Sequence, residues 1–344
     1  MNNLVLVTGG TGYIGSHTVV ELLENNYNVL IVDNLNNSRK EVLDGVTQIT
    51  GKQVHFEKID ICDKEAFFAV LAKYPNIKSV IHFAAHKAVG ESVENPLKYY
   101  HNNITGTLHV LQAMEMFHIK NLVFSSSCTV YGQPDILPVT EQSPMKPAAS
   151  PYGFTKQVSE QMIKDFMQVS KNLNSISLRY FNPVGAHPST LIGELPTGVP
   201  DNLIPYVTQT ASGLRDHLRV FGSDYNTPDG TPLRDYIDIT DLAKAHLAAI
   251  NRMEANQMES NYEFYNIGTG TGRSVLEIIA AFEQATGIKI NYKIYPRREG
   301  DVEKVWADTR MANEKLKWKA SRLLTETLAS TWAWQLHYNN TGVK

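Results

Sequence analysis

Tyr152 and Lys156 stand four positions apart in the run Pro151-Tyr152-Gly153-Phe154-Thr155-Lys156. On a helix that spacing stacks two side chains on one face. An ammonium beside a phenol favours the phenolate, so the pair predicts a tyrosine whose pKa falls toward the working range and which can take a proton from a hydroxyl. Pro151 suits the first turn of such a helix. Tyr-x-x-x-Lys alone is not specific, and it recurs at Tyr74 and Lys78. That copy contains Pro75 and Asn76 and falls between a helical pattern and a strand. What distinguishes Tyr152 is the preceding run Ser125-Ser126-Ser127-Cys128-Thr129-Val130-Tyr131-Gly132. It closes an apolar strand, at the sheet edge where open α/β folds place their ligands, and a serine hydroxyl there can relay or orient a proton for Tyr152. Phe154, Val158, Met162 and Phe166 form a separate stripe at helical spacing, read as packing, either core or a contact between subunits.

A second site is marked by Gly9-Gly10-Thr11-Gly12-Tyr13-Ile14-Gly15. The run follows an apolar strand and opens a helix. It satisfies Gly-x-x-Gly-x-x-Gly and, from Gly10, Gly-x-Gly-x-x-Gly. Such glycines let the backbone approach a pyrophosphate at a helix N-terminus, where unpaired N–H groups and partial positive charge meet the anion. Asp33 ends the next strand, 18 residues after Gly15, near the spacing of a carboxylate that binds adenosine ribose hydroxyls. That carboxylate repels a 2′-phosphate, which favours NAD over NADP; nearby Arg39 is a mild counter-signal. The plainer reading, turn glycines with Asp33 as a loop cap, does not account for strand, glycines, helix, strand and acid in this order.

Positioning these groups requires a sheet. Apolar, β-rich runs at 4–7, 29–33, 55–60, 79–84, 121–126 and 175–180 alternate with helical patterns near 15–24, 64–74, 96–117 and 152–171. Near-continuous apolar strands joined by helices predict an α/β fold with a Rossmann-type, doubly wound parallel sheet covered on both faces. After Phe181 the pattern changes: Pro183, Gly185, Pro188, Gly193, Pro196, Gly198 and Pro200 punctuate one irregular stretch, and 222–232 is another. Long loops interleaved with apolar segments predict a smaller α/β substrate-binding lobe. The expected division is residues 1–180 for the dinucleotide and 181–344 for the substrate, with segments near 235–265 returning to the first unit.

The chain has 344 residues, 42% hydrophobic and 19% charged, with a formal net charge of -3. A sizeable core is expected and disorder is not. No basic field exists for nucleic acid. The two cysteines, Cys62 and Cys128, are too few for a disulfide scaffold. No apolar stretch reaches membrane-span length, so a soluble, cytoplasmic protein is expected. The histidines show no metal-ligand spacing; His82 and His86 are read as structural, and no metal is expected. No nucleophile elbow, Walker loop or kinase motif occurs.

These elements resemble the extended short-chain dehydrogenase/reductase family. TGGTGYIGSH at 8–17, VIHFAAHKAVGES at 80–92, FSSSCTVYG at 124–132, SPYGFTK at 150–156, RYFNPVGAHP at 179–188, RDYI at 234–237 and RREGD at 297–301 look like its UDP-galactose 4-epimerase branch, in family order over essentially the full length. The resemblance implies that Tyr152 is the base for the sugar 4′-hydroxyl, Ser127 its helper, and Lys156 a ribose ligand that tunes it. It places NAD against Gly9, Gly12, Tyr13, Ile14, Gly15, Asp33, Asn34, Leu35, Asn36, Asn37, Ser38, Asp60, Ile61, Phe83, Ala84, Ala85, Lys87, Asn102, Ser125, Tyr152, Lys156 and Phe181. It places a UDP-hexose against Ser127, Tyr152, Asn182, Asn202, Leu203, Val220, Phe221, Arg234, Arg298, Asp301 and Val305. Guanidinium forks match diphosphate oxygens, although Arg298 without the resemblance reads as a solvated charge. It further implies a homodimer through helices near 96–117 and 152–171.

The expected chemistry is transient oxidation at C4 by tightly bound NAD, rotation of a 4-keto sugar, and reduction from the other face. Two alternatives compete. A dehydratase or decarboxylase on the same fold is one, but the dehydratases carry an acid pair where Cys128 and Thr129 stand. A non-catalytic dinucleotide-binding regulator is the other, and such proteins lack the Tyr–Lys pair. Val305 falls where members restricted to UDP-glucose and UDP-galactose carry a larger tyrosine, which predicts some activity on UDP-N-acetylglucosamine and UDP-N-acetylgalactosamine.

Overall fold

The structure, a computed structural model, describes residues 3–196, 198, 200, 202–298 and 301–341. Glu299 and Gly300 of the RREGD motif therefore lie outside the described residues.

The first strand, β1 (Leu4–Thr8), is buried at every position, as a strand covered on both faces must be. It is followed by α1 (Tyr13–Glu24), β2 (Asn28–Asp33), α2 (Val42–Thr50), β3 (His55–Lys58), α3 (Lys64–Ala72) and β4 (Ile77–His82). The chain continues through α4 (Val89–Glu94), α5 (Pro96–Tyr99), a π-helical turn (Tyr100–Ile104), α6 (Thr105–Met116), β5 (Asn121–Ser127), a 3-10 turn (Cys128–Tyr131), α7 (Pro151–Val169) and β6 (Asn174–Tyr180). The second lobe opens with β7 (Asn182–Val184), α8 (Leu203–Ala211), β8 (Leu218–Phe221) and β9 (Leu233–Asp238). Then come α9 (Ile239–Glu254), β10 (Tyr262–Ile267), β11 (Gly272–Ser274), α10 (Val275–Thr286), β12 (Tyr292–Tyr295), β13 (Lys304–Val305), α11 (Arg310–Lys315) and α12 (Leu324–Thr341).

Seven parallel strands form the main sheet in the order β10-β6-β5-β4-β1-β2-β3. The alternating residues of β1 divide between two cores: Val5 and Val7 face one with α1 and α9, Leu4 and Leu6 the other with α3 and α6. The order reverses between β1 and β4, so their carboxyl ends open a crevice, the place where such sheets bind ligands. After β6 the chain leaves to build the second lobe, where β9 pairs with β7, β11 and β13, and β8 pairs with β12. It returns with α9, which packs on α1, and with β10, the outer strand beside β6. A third core around Val207, Val220, Ile278 and Phe282 holds the second lobe.

Two elements differ from the sequence expectation. Helix α2 was not expected, because VLDGVTQIT is rich in β-branched residues and carries Gly45; tertiary packing decides it, since a Cβ on Gly45 would lie 2.7 Å from the Leu191 carbonyl oxygen. The segment 96–117 is not one regular helix. Its π-helical turn brings the Asn103 side chain against the loop after β4, where it accepts from His86 N at 2.8 Å and donates to His86 O at 3.0 Å and to Thr155 Oγ1 at 3.0 Å. Such single π turns mark functional sites, and here the turn ties that loop to α7. Among the described residues no helix is long and apolar enough to cross a membrane.

Candidate active site

The crevice at the switch point continues into a cavity of about 510 Å³ that runs from the glycine turn to the second lobe. At one end, Gly9 has φ 73° and a Cβ there would fall 2.7 Å from Ala84 N; a Cβ on Gly15 would fall 2.2 Å from Gly9 O. Only glycine fits both places. Helix α1 starts at Gly12 with no side-chain cap and no acid in its first turn, so its N–H groups and partial positive charge face the cavity. Asp33 is buried at the end of β2. It accepts from Thr11 N at 3.2 Å, Leu35 N at 2.9 Å and Ser38 Oγ at 3.1 Å. Asn34 donates to Asp60 at 3.1 Å. Asn36, Asn37, Ser38, Asp60, Ile61, Phe83, Ala84, Ala85, Lys87 and Asn102 line this end, and Arg39 lines it with them. Leu35 does not; its left-handed turn (φ 60°) presents its neighbours instead.

At the middle of the cavity, Ser125 and Ser127 end β5, and α7 rises opposite with Tyr152 and Lys156 facing them. Ser150 caps α7 by accepting from Gly153 N at 3.2 Å. The Lys156 ammonium donates to the Ser125 carbonyl at 2.5 Å and lies 5.9 Å from the centre of the Tyr152 ring. Tyr180 and Ser125 share a hydroxyl contact beneath them.

The expected lowering of the Tyr152 pKa is not what this arrangement gives. Burial pushes the phenol up to about 12, and the hydroxyl contact from Ser127 only partly opposes it. Burial of the ammonium lowers Lys156 to about 8, with Glu160 opposing. The reason is geometric: the ammonium is turned to a backbone carbonyl rather than to the phenol oxygen, and desolvation of the phenolate dominates.

The far wall comes from the second lobe. Phe181, Asn182, Asn202, Arg234, Asp301 and Val305 line it. Arg234, on β9, pairs with Asp301. Val305 is buried beside Phe181, Val130, Tyr131 and Val139. Leu203, Val220, Phe221 and Arg298 do not line the cavity. Val220 points into the third core, and the Arg298 guanidinium lies over the Phe221 ring at 4.6 Å.

Two features escaped the sequence reading. Glu194 lines the cavity, accepts from Lys87 at 3.2 Å and Asn202 at 3.0 Å, and is anchored by Trp334 Nε1 donating to its carbonyl at 3.0 Å. It lies in a proline- and glycine-rich loop with no informative spacing. The buried Glu160–Arg179 pair beneath Lys156 was also missed; the signal was Glu160, one further turn along α7. His82 is a packing residue, bonded to Thr8 and Thr107. Among the described residues no cluster of His, Cys, Asp and Glu could hold a metal.

Comparison with known proteins adds to this geometry. The family model described as GDP-mannose 4,6 dehydratase matches residues 6–331. The UDP-glucose 4-epimerase of Schizosaccharomyces pombe is 50% identical over 338 residues, 97% of this chain and 94% of that protein. Two crystal structures are close. One is the UDP-glucose 4-epimerase of Stenotrophomonas maltophila with bound NAD and formylated UDP-arabinopyranose. It has a TM-score of 0.95 and 45% identity, covering 99% of this chain and 100% of that one. The other is the Bifidobacterium longum enzyme in complex with NAD+ and UDP, with a TM-score of 0.94 and 46% identity, covering 98% and 99%.

Proposed function

The chain belongs to the extended short-chain dehydrogenase/reductase family covered by the GDP-mannose 4,6 dehydratase model, in its UDP-glucose 4-epimerase branch, and from that premise we propose that it interconverts UDP-glucose and UDP-galactose through a 4-keto intermediate with NAD held in place. The observation that carries this reading is one cavity with a glycine-only anion cradle at one end, Tyr152, Ser127 and Lys156 in the middle, and Arg234 at the other.

The residues present fit a dinucleotide. The uncapped N-terminus of α1 and the Gly9–Gly15 turn suit a diphosphate, and the buried Asp33 carboxylate suits ribose hydroxyls and disfavours a 2′-phosphate. Asn34, Asn36, Asn37, Ser38, Asp60, Ile61, Phe83, Ala84, Ala85, Lys87, Asn102, Ser125 and Phe181 would complete that site. When bound, NAD supplies the hydride acceptor and then the hydride donor at sugar C4, and is regenerated in each turnover. Tyr152 removes the proton of the 4′-hydroxyl and later returns it from the other side of the turned sugar. Ser127 shares that proton, and Lys156 orients the ribose and stabilises the phenolate. Asn182, Asn202, Arg234 and Asp301 grip the uridine diphosphate while the sugar turns, so remote binding energy holds an intermediate whose reacting end is free. Residues 1–180 with α9 and β10 serve as the cofactor unit, and the rest of the second lobe as the UDP-sugar unit.

Elimination of water is disfavoured because Cys128 and Thr129 replace an acid pair, and burial pushes the Cys128 thiol up to about 12. Val305, small and on the sugar wall, supports acceptance of N-acetylated UDP-hexoses as well. Exposed apolar side chains at Val93, Leu97, Leu108 and Phe154, on α4, α5, α6 and α7, support a homodimer through this face. The two cysteines, both free, are consistent with a reducing cytoplasm.

The test is direct. Purified protein incubated with UDP-galactose should yield UDP-glucose and should carry stoichiometric dinucleotide through gel filtration. A stable 4-keto-6-deoxy product would move the assignment to the dehydratases.

A further inference from the structure

Tyr152, Lys156 and Glu160 recur at intervals of four on α7 and so share one face. A lysine with a glutamate four positions on ordinarily closes an ion pair along the helix. Here the glutamate is engaged elsewhere. Arg179, on β6, donates Nε to its two carboxylate oxygens at 2.9 and 3.2 Å and Nη2 at 2.5 Å, and Ser126 Oγ adds a donor at 2.5 Å. Arg179 is itself fixed: its Nη1 donates to Tyr131 Oη at 3.0 Å, Tyr131 donates to Asn266 at 2.7 Å, and the guanidinium lies 4.1 Å from the centre of the Phe264 ring. Lys156, Glu160 and Arg179 are 4%, 2% and 2% exposed, so water screens none of them.

We propose that Arg179 is a positioning residue for the reaction: by taking Glu160 it withholds the natural partner of Lys156, and it leaves the buried cluster one positive charge in excess beside Tyr152. The proposal rests on the reading of Tyr152 as the proton-transfer group. Two cations and one anion in a dry site leave an imbalance that a phenolate neutralises and a phenol does not, so the excess charge favours ionised Tyr152. The other titratable groups facing the cluster do not remove that excess. His82, from β4, is held neutral by burial, its pKa lowered to about 3. Tyr131 and Cys128, from the 3-10 turn, are pushed up to about 12. Burial also raises Tyr180 on β6 and Tyr262 on β10. Glu141 spends its Oε1 on Asn266 N at 2.8 Å, while the ion pair of Arg179 is made with Glu160; burial raises the Glu141 pKa.

The experiment follows the Tyr152 ionisation in two ways. One is the pH profile of kcat. The other is the Cζ resonance of Tyr152 in protein labelled with 13C-tyrosine, assigned against Tyr152→Phe, which needs no turnover. Arg179→Leu releases Glu160 to bridge Lys156, and both readouts should move up by about 1 pH unit. Arg179→Lys keeps the charge and should hold the wild-type values. Glu160→Gln adds one net positive charge and should move both readouts down. The double variant Glu160→Gln/Arg179→Leu leaves Lys156 as the one charge of the three and should return to wild type. Because the double variant buries neither charge, it also serves if Arg179→Leu does not fold. Unshifted readouts in Glu160→Gln, or a double variant displaced from wild type by as much as the single ones, would reduce Arg179 to a packing residue. Absence of epimerase turnover in the wild type would instead sink the functional reading, while the tyrosine titration would still decide the role of Arg179.

Discussion

The two walls of the cavity are built on opposite physical plans. Beneath Tyr152 and Lys156 the protein is dry: Lys156, Glu160, Arg179 and Ser126 are all buried and bonded to one another or to backbone. Across the cleft, Arg234 and Asp301 are 15% and 26% exposed at the side chain, on a short strand and a loop. The difference fits the tasks proposed for the two walls. A proton-transfer group works through its pKa, which only a fixed, low-dielectric surrounding can set. A phosphate grip needs reach and charge, which short strands and loops supply, and partial solvation lets the product leave.

That contrast sets the order of effects expected from substitution. Tyr152→Phe, on the dry wall, should lower kcat by roughly 10²–10⁴-fold while the dinucleotide stays bound, as read from the absorbance of the purified variant. Unchanged turnover would remove Tyr152 from the mechanism. Arg234→Met, on the wet wall, should act mainly on KM, with kcat/KM falling by roughly 10-fold or more from the loss of a charge-assisted contact to a phosphate. A pure kcat effect there would mean that Arg234 touches the reacting sugar.

Val305 sits where the walls meet, buried against Phe181 and Tyr131. Val305→Tyr should cost UDP-N-acetylgalactosamine turnover about 10-fold and leave UDP-galactose nearly unaffected. Equal loss on both substrates would show that the residue only packs.

Lys156 ties the comparison to pH. Burial lowers it from 10.5 to about 8, so its ammonium is lost within the range of an activity assay. Raising the pH through about 8 should depress kcat, because the charge that supports the phenolate disappears. The stability effect has the opposite sign. Between about 8 and 10.5 the unfolded chain binds the proton and the folded one does not, so this lysine contributes increasing stability as pH rises there. A falling activity limb with no loss of melting temperature over that window would fit both statements.

The dry wall was also the legible one. The Tyr152–Lys156 spacing, the hydroxyl run ending β5 and the glycine turn are local patterns, and the periodicities of the first 180 residues name the strands that place them. The wet wall draws on residues 182, 202, 234 and 301, and the seam on 305; loops separate them and no spacing in the sequence joins them, so only the family resemblance gathered them. Even on the dry wall, the direction of the Tyr152 pKa was misread, because a helix face shows that Lys156 lies near Tyr152 but not which way the ammonium turns. Arg179 was invisible for a related reason: it meets Glu160 across α7 and β6, a contact fixed by the sheet and not by the sequence interval.

The smallest expected effect lies in the core that both walls share. Burial lowers His17 and His82 to about 3 and His246 to about 4. His246 is wedged between Phe83, 4.8 Å away centre to centre, and Tyr180, 5.7 Å away. In the unfolded chain each titrates near 6.5, so from about 6.5 downward the unfolded state takes up protons that the folded state refuses. Stability should therefore fall with falling pH by about 1.4 kcal/mol per pH unit for each such histidine well below 6.5. Buried acids such as Asp235 and Glu141, whose pKa values burial raises, work in the opposite direction, so the total slope is smaller than the sum. The difference between wild type and His246→Leu isolates one contribution: urea unfolding at pH 7 and pH 5 should show the variant losing less stability between the two. An equal loss in both would mean that His246 finds a way to charge without unfolding, and that the layer behind Phe83 and Tyr180 admits water.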